Sequence, residues 1–450
     1  MHIREFLMKR LLLIALTLLT QSGTTTLHAQ HKDRNTMVRD DRARILDDGF
    51  WIYNDIDKGL SQAQATGKPL LVIFRCIPCE ACAQLDEQVV ENNPAVRKAL
   101  SRFVCVRQVY TNGVDLSRFQ FDYDQSWAAF FMNGDGTILG RYGTRSHQTE
   151  SSDDVTLEGF LATMNQVLNL HADYAAVKDA LAAKMGKKLA VSVPEEFPSL
   201  KERYANGLNY EGEVAKSCIH CHQIGDAWHE LYRSAGKPIP TEALYPYPHP
   251  KILGLIMDPR SAVRVAEVVP ESWAAEAGFQ AGDQIREMAG QPLVSMADIQ
   301  WVLHAAADTV QLPVVVERGD SSQQLTLDLP AGWREAGDIS WRVTSWPMRG
   351  MVLGGMRLRS ATAQELQAAN RPNAVGLVIQ SVGQFGKHAA AKRAGFKPDD
   401  VLLSFDGTAR PMTESQLLVH LMRSTKPSDM VDVEVLRAGK VRTIQLPIQE

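Results

Sequence analysis

Cysteines and histidines mark the places where this chain could do chemistry. Cys76, Cys79 and Cys82 stand in Cys-x-x-Cys-x-x-Cys spacing, Cys105 stands alone, and Cys218-Ile219-His220-Cys221-His222 lies near the middle. In the last of these, two thiols two residues apart are followed at once by an imidazole, the pattern that attaches c-type haem. Cys218 and Cys221 would each add across one vinyl group, and His222 would reach the iron from the proximal side, so haem c is the cofactor implied. Two other readings stay open. Cys218, His220, Cys221 and His222 could contribute to a zinc site, although four such crowded ligands are hard to arrange tetrahedrally. Cys218 and Cys221 could also form a plain disulfide.

The surrounding elements bear on that choice. Prolines at 194 and 198 break the chain before the motif, and helical apolar spacing is expected from Leu200 through Tyr204 and Val214, then on across Trp228, Leu231 and Tyr232. A proline-stiffened strap, Tyr245-Pro246-Tyr247-Pro248-His249-Pro250, follows. Residues 173–250 with two or three helices suffice for a minimal segment similar to a small cytochrome c. His249 is the first choice of distal ligand, with Met257, His229 and His220 as alternatives.

Export decides how the thiols are read. Lys9 and Arg10 precede an apolar run over residues 11–19, and Leu27-His28-Ala29 offers a small residue for cleavage. Residues 1–30 are therefore read as a secretory signal rather than a span, the alternative being an uncleaved anchor. A periplasmic or extracellular location follows, where disulfides persist and haem is attached to thiols. With 450 residues, about three domains are expected. Charged residues make up 22% and the net charge is −4, so nucleic acid is not an expected partner.

Residues 40–172 read as an α/β unit. A helical pattern over residues 51–66 ends at Gly67-Lys68-Pro69, and Leu70-Leu71-Val72-Ile73-Phe74 suits a buried strand. The cysteine cluster and a helix over residues 81–90 come next, then a strand over 104–109, a hairpin around Asn133-Gly134-Asp135-Gly136 and a helix over 157–170. This order resembles the thioredoxin fold. The resemblance places Cys79 as the low-pKa nucleophile at a helix start and Cys82 as the resolving thiol. Two departures count against catalysis. No proline stands near Ser126-Trp127, where that fold carries a cis-proline, and Cys76 adds a third thiol that could pair with Cys79 or help bind a soft metal.

The last 200 residues repeat themselves. Leu253-Gly254-Leu255 opens one unit and Leu353-Gly354-Gly355-Met356 the next. Each continues through a strand, a small-residue helix, a turn, a strand, a helix and an antiparallel pair. Asp399 stands where the first repeat has Gly282, so that turn is expected to differ slightly. The order resembles PDZ domains of exported bacterial proteins, over 251–332 and 351–450. The resemblance implies that peptide carboxyl termini add as strands at the two glycine loops just named. Residues 333–350, with Trp333, Trp341 and Trp346, are expected to dock as an aromatic strap. No Gly-x-Ser-Gly-Gly-like segment is present, so a serine protease is not expected.

As a whole the chain resembles exported, planctomycete-type proteins that join a thioredoxin-like domain to PDZ repeats, some of them selenoproteins. The fold class expected is multidomain α+β: a thioredoxin-like α/β domain, a small helical cytochrome c-like segment and two PDZ-like β-rich domains. The function expected is electron handling at Cys79, Cys82 and the haem, with an unspecified redox partner and PDZ-mediated docking. The alternatives are a PDZ scaffold with structural thiols and a haem-free thiol–disulfide oxidoreductase.

Overall fold

The computed structural model describes residues 33–77, 93–125, 127–143, 154–371 and 373–450. Cys79, Cys82 and the helix expected over 81–90 lie outside the described residues, as does the expected secretory signal.

The first unit is built on a five-stranded sheet: β1 (Ile52–Tyr53), β2 (Leu70–Arg75), β3 (Val104–Gln108), β4 (Trp127–Met132) and β5 (Ile138–Tyr142), in the order β1-β3-β2-β4-β5. β1, β3 and β2 run parallel, β4 runs antiparallel to β2, and β5 runs antiparallel to β4. All six residues of β2 are buried, as a continuous apolar run in a central strand requires. Helices α1 (Arg34–Asp48), α2 (Ile56–Thr66), α3 (Pro94–Leu100) and α4 (Leu157–Ala172) surround the sheet. Local chemistry sets their ends. Asp55 caps α2 by accepting from Lys58 N–H, and Gly67 closes it in the left-handed region at φ 66°. Alternation along β2 splits the core, with Leu71 and Ile73 facing Phe160 and Met164 on one side. Leu70, Val72 and Phe74 face Phe119, Phe121 and Phe130 on the other.

After α5 (Tyr174–Leu181) the chain is mostly irregular until α6 (Cys221–Ser234). Here the expectation of continuous helix from Leu200 is corrected, because only Pro198–Lys201 and Val214–Ser217 are helical before α6. Turns at Gly207 and Gly212 interrupt it, and the backbone between is bonded to the first unit instead. This segment has a small core that the first unit completes. Ile219, Ile224 and Ala227 pack with Phe197 and Leu200, but also with Leu116 from the first unit.

The first repeat contains β6 (Leu255–Met257), β7 (Val265–Val268), β8 (Gln284–Met288), β9 (Gln291–Pro292), α7 (Met296–Ala305), β10 (Val310–Arg318) and β11 (Ser321–Leu329). The linker helix α8 (Ser345–Val352) leads into the second. That repeat comprises β12 (Met356–Ser360), β13 (Leu377–Val382), β14 (Val401–Phe405), α9 (Glu414–Ser424), β15 (Met430–Arg437) and β16 (Lys440–Pro447). The turn expected to differ has the same hand in both, since Gly282 has φ 94° and Asp399 has φ 68°. Both repeats lock that turn alike. Arg318 pairs with buried Asp283, and Arg437 with buried Asp400.

Buried ion pairs join the units, and Trp301 of α7 adds a bond from its Nε1 to Ala183 O at 3.0 Å. Trp346 of the linker is exposed, whereas Arg342 inserts between Asp122 and Asp124 of the first unit. Helix α7 docks on β5, with Asp298 accepting from Lys184 Nζ at 2.6 Å and from Arg141 N–H at 3.1 Å.

Candidate functional site

Strands β2 and β3 end at the same edge of the first sheet, and the residues after β3 hold the Cys218–His222 motif there. Ile219 O accepts from Thr111 N–H at 3.1 Å and from Thr111 Oγ1 at 2.8 Å. Asn112 Oδ1 accepts from Ile219 N–H at 2.8 Å, and its Nδ2 donates to Ser217 O at 3.0 Å and Ala205 O at 2.7 Å. From α1, Asn35 Oδ1 accepts from Ala215 N–H at 3.0 Å, and Arg39 Nε donates to Tyr210 O at 3.1 Å. The two cysteine motifs therefore meet. Cys76 Sγ lies 3.2 Å from His220 Nδ1.

The environments of the motif residues differ sharply. Burial pushes the Cys218 thiol up to about 11, and its Sγ lies 3.4 Å from Val214 O, so it stays protonated at neutral pH. Burial, with the nearby charges of His222 and Arg34, takes His220 down to about 4 and leaves it a neutral imidazole. Its ring is parallel to that of His222, with centroids 5.9 Å apart. His222 Nδ1 stands 3.8 Å from Asp226 Oδ2, a carboxylate whose pKa burial raises. Cys221 is the first residue of α6 and packs against the core face that holds Phe74 and Phe119. Cys105 is sealed in β3, where burial raises its pKa, and has no part in the site.

A covalent haem needs both thiols on one apolar face beside His222. Here Cys218 turns back toward Val214 while Cys221 faces the first sheet, and Ile219 between them is fully buried under Thr111 and Asn112. His249 lies in a separate cluster. Its Nε2 is 3.2 Å from Asp154 Oδ1, and its Nδ1 accepts from Lys251 N–H at 3.1 Å, so both ring nitrogens are engaged. A haem bonded to both thiols would require this arrangement of residues 217–220 to change. Among the described residues, no three His, Cys, Asp or Glu side chains converge as a metal site.

At the repeats, Leu253 and Leu255 are buried in the first core, and Leu353 and Met356 in the second. Gly254, Gly354 and Gly355 all have positive φ, and a side chain on Gly355 would strike His388 O.

Family models agree with this architecture piecewise. A model described as thioredoxin-like matches residues 51–134, and PDZ-domain models match 264–318 and 355–448. The chain holds a thioredoxin-like domain and two PDZ domains. That content is the composition of a PDZ-containing scaffold. Among curated proteins, the "probable periplasmic serine endoprotease DegP-like" of Pseudomonas savastanoi pv. phaseolicola (strain 1448A / Race 6) is 25% identical over 197 residues, 43% of this chain and 39% of its own. Its namesake from Pseudomonas putida (strain GB-1) is 25% identical over 198 residues, again 43% and 39%. The chain thus spans about two fifths of the length of these relatives. Among solved structures, the HtrA3 PDZ domain bound to a phage-derived ligand is 29% identical, covering 15% of this chain and 60% of that one with a TM-score of 0.14. The HtrA-type protease AlgW with a decapeptide is 15% identical, covering 32% and 49% with a TM-score of 0.19.

Composition and spacing revealed the cysteines but not their holders. Thr111 and Asn112 follow an apolar strand and read as an ordinary turn, and Asn35 and Arg39 read as a polar helix face. Their role rests on contacts about a hundred or more residues apart in sequence.

Proposed function

We propose that this is an exported thiol–disulfide exchange protein whose PDZ domains dock its clients. Cys79 and Cys82 exchange with a client disulfide. A thiolate attacks one client sulfur and forms a mixed disulfide, and the second protein thiol then displaces that sulfur. The client gains two electrons and two protons as a dithiol, and the protein becomes the disulfide, to be reset by a dithiol-class reductant. The observation that carries this reading is the 3.2 Å contact between Cys76 Sγ and His220 Nδ1. A neutral imidazole at the first sulfur of the cluster is a hydrogen-bond partner that orients that thiol, the sequence neighbour of the Cys79–Cys82 pair. Insulin reduction by the full-length protein tests it. Activity should vanish in Cys79→Ser and fall in His220→Ala, and unchanged activity in both would overturn it.

Haem at Cys218 and Cys221 is the second reading, favoured by the placement of Cys221 and His222 on the first turn of α6. It requires residues 217–220 to leave Thr111 and Asn112. A pyridine haemochrome band after co-expression with a haem-attachment system would support it, provided the band is lost in Cys218→Ala with Cys221→Ala. Its absence would remove it.

A further inference from the structure

One loop carries opposite chemistry in the two PDZ domains. It joins the second strand of each repeat, β7 or β13, to a short helix of small residues. The Ala-Gly-Phe sequences at the ends of those helices, residues 277–279 and 394–396, set the register. Lys392, Arg393 and Lys397 of the second domain therefore stand where the first has Ala275, Glu276 and Gln280. The first loop also carries Glu271, whereas the second carries Phe385.

Phe385 is 86% exposed, against 54% for Met430, the next among the large apolar residues described. A loose loop is not the cause. Before the ring, Gly383 N–H donates to Gly355 O at 3.0 Å and Gln384 Nε2 to Val382 O at 2.8 Å. After it, Gly386 turns at φ 56° and its carbonyl accepts from Arg393 Nη1 at 3.1 Å. Lys392 Nζ donates to Gln384 Oε1. Cations of the helix Ala390–Ala394 thus grip the residues on both sides of Phe385 and leave its ring in solvent. Trp346 of α8 stands at the same corner. It is 44% exposed and stacks on His388, with ring centroids 4.3 Å apart.

The charge around this ring is largely unanswered. Lys387 faces Glu230 at 4.0 Å and Glu450 O at 3.4 Å. Lys392 and Arg393 bond only to neutral acceptors among the described residues, and both are exposed, as is Lys397. An exposed aromatic pair with three uncancelled cations thus sits on a chain whose net charge is −4.

We propose that this corner of the second PDZ domain is a membrane-surface anchor whose ligand is the anionic headgroup layer of a bilayer. Phe385 and Trp346 enter the boundary between headgroups and acyl chains, and Lys392, Arg393 and Lys397 lie against the phosphates. The shape of the corner favours a bilayer over a protein. A protein interface of ordinary size covers about 800 Å² on each side around a packed apolar centre. Here one ring stands clear of the surface, and the long cationic stems around it can adapt to a fluid headgroup layer.

Co-sedimentation of the full-length protein with vesicles is the test. Binding is expected to phosphatidylcholine vesicles containing about one third phosphatidylglycerol. It should weaken about tenfold or more on pure phosphatidylcholine, or in about 0.5 M NaCl. Phe385→Ser should weaken it about tenfold with an unchanged thermal midpoint, since the ring packs against so little of the protein. Phe385→Trp should retain it and add a blue-shifted emission when vesicles are present. Lys392→Gln combined with Arg393→Gln should weaken it about tenfold. Failure of the wild type to bind anionic vesicles would overturn the anchor. So would equal binding by wild type and Phe385→Ser, which would move the contact to the apolar run over residues 11–19. Capture of an acidic peptide through Phe385, with no vesicle binding, would give the corner to a protein partner and overturn it equally.

Discussion

Arg342 Nη1 lies 2.6 Å from Asp122 Oδ1, joining the linker between the PDZ domains to the thioredoxin-like domain. The same nitrogen is 3.1 Å from Asp124 Oδ2, and Thr344 supplies two more bonds to that carboxylate. All three charged side chains are buried, and burial raises the Asp122 pKa against the pull of Arg342. Removing the cation leaves two carboxylates in a dry interface. Arg342→Met should therefore lower unfolding free energy by about 3–5 kcal/mol. Adding Asp122→Asn and Asp124→Asn should restore most of it. Urea denaturation measures both, and a loss below about 1 kcal/mol for the single variant would refute the role given to this pair.

That pair also shows what the sequence withheld. The linker was expected to dock through its tryptophans. Trp333 is buried, but Trp346 is exposed and the long-range anchor is Arg342. An isolated arginine carries no periodicity, and its partners lie 220 and 218 residues away. By contrast, the run from Leu70 to Phe74 and the paired glycine loops announce strands and repeats through local pattern alone. The thiols and imidazoles were legible as types. Their meeting was not, because it depends on Thr111 and Asn112 capturing the backbone of Ile219.

The second prediction concerns acid. His220 and His304 are held at about 4 and about 3, each chiefly by burial, against an ordinary 6.5. The unfolded chain takes up these protons below pH 6.5, while the folded chain resists until near pH 4. Their contribution to stability is therefore complete above pH 6.5 and declines as pH falls from there toward 4 and below, by at most ~1.4 kcal/mol per pH unit for each ring. His304 stacks on Tyr247 at 4.0 Å. His304→Phe keeps the stacking and should flatten part of the slope between pH 6.5 and 4, seen as a smaller shift in urea midpoint. An unchanged slope would contradict the assignment.

The turn locks of the two PDZ domains make a third case. Asp283 accepts from Gln280 N–H at 2.9 Å and from two nitrogens of Arg318, at 2.7 and 2.8 Å. Asp400 is placed the same way by Lys397 N–H and Arg437. Both carboxylates are buried while both arginines stay partly exposed. Losing the arginine strands a buried carboxylate, whereas losing the carboxylate frees a solvated cation and one turn amide. Arg318→Met should cost about 2–4 kcal/mol and Asp283→Asn less, as read by thermal unfolding. The reverse order would show that the turn amide, not the ion pair, holds the corner.

The last prediction separates chemistry from scaffolding at the thiol site. His220 bridges two motifs, so His220→Ala alone could act by loosening residues 217–222. The backbone bonds from Thr111 and Asn112 do not involve the imidazole and should hold the loop in that variant. His220→Gln keeps a polar side chain beside Cys76 but removes the neutral imidazole 3.2 Å from its sulfur. If the imidazole assists thiol chemistry, both variants should slow alkylation of the Cys76–Cys82 cluster by iodoacetamide about tenfold at pH 7, and the difference should vanish by pH 9.5, where thiols ionise unaided. Asn112→Ala removes the clamp and leaves the ring, so it should weaken protection of the Ile219 amide and slow alkylation less. Equal rates for wild type and His220→Gln at pH 7 would reduce the contact with Cys76 to packing.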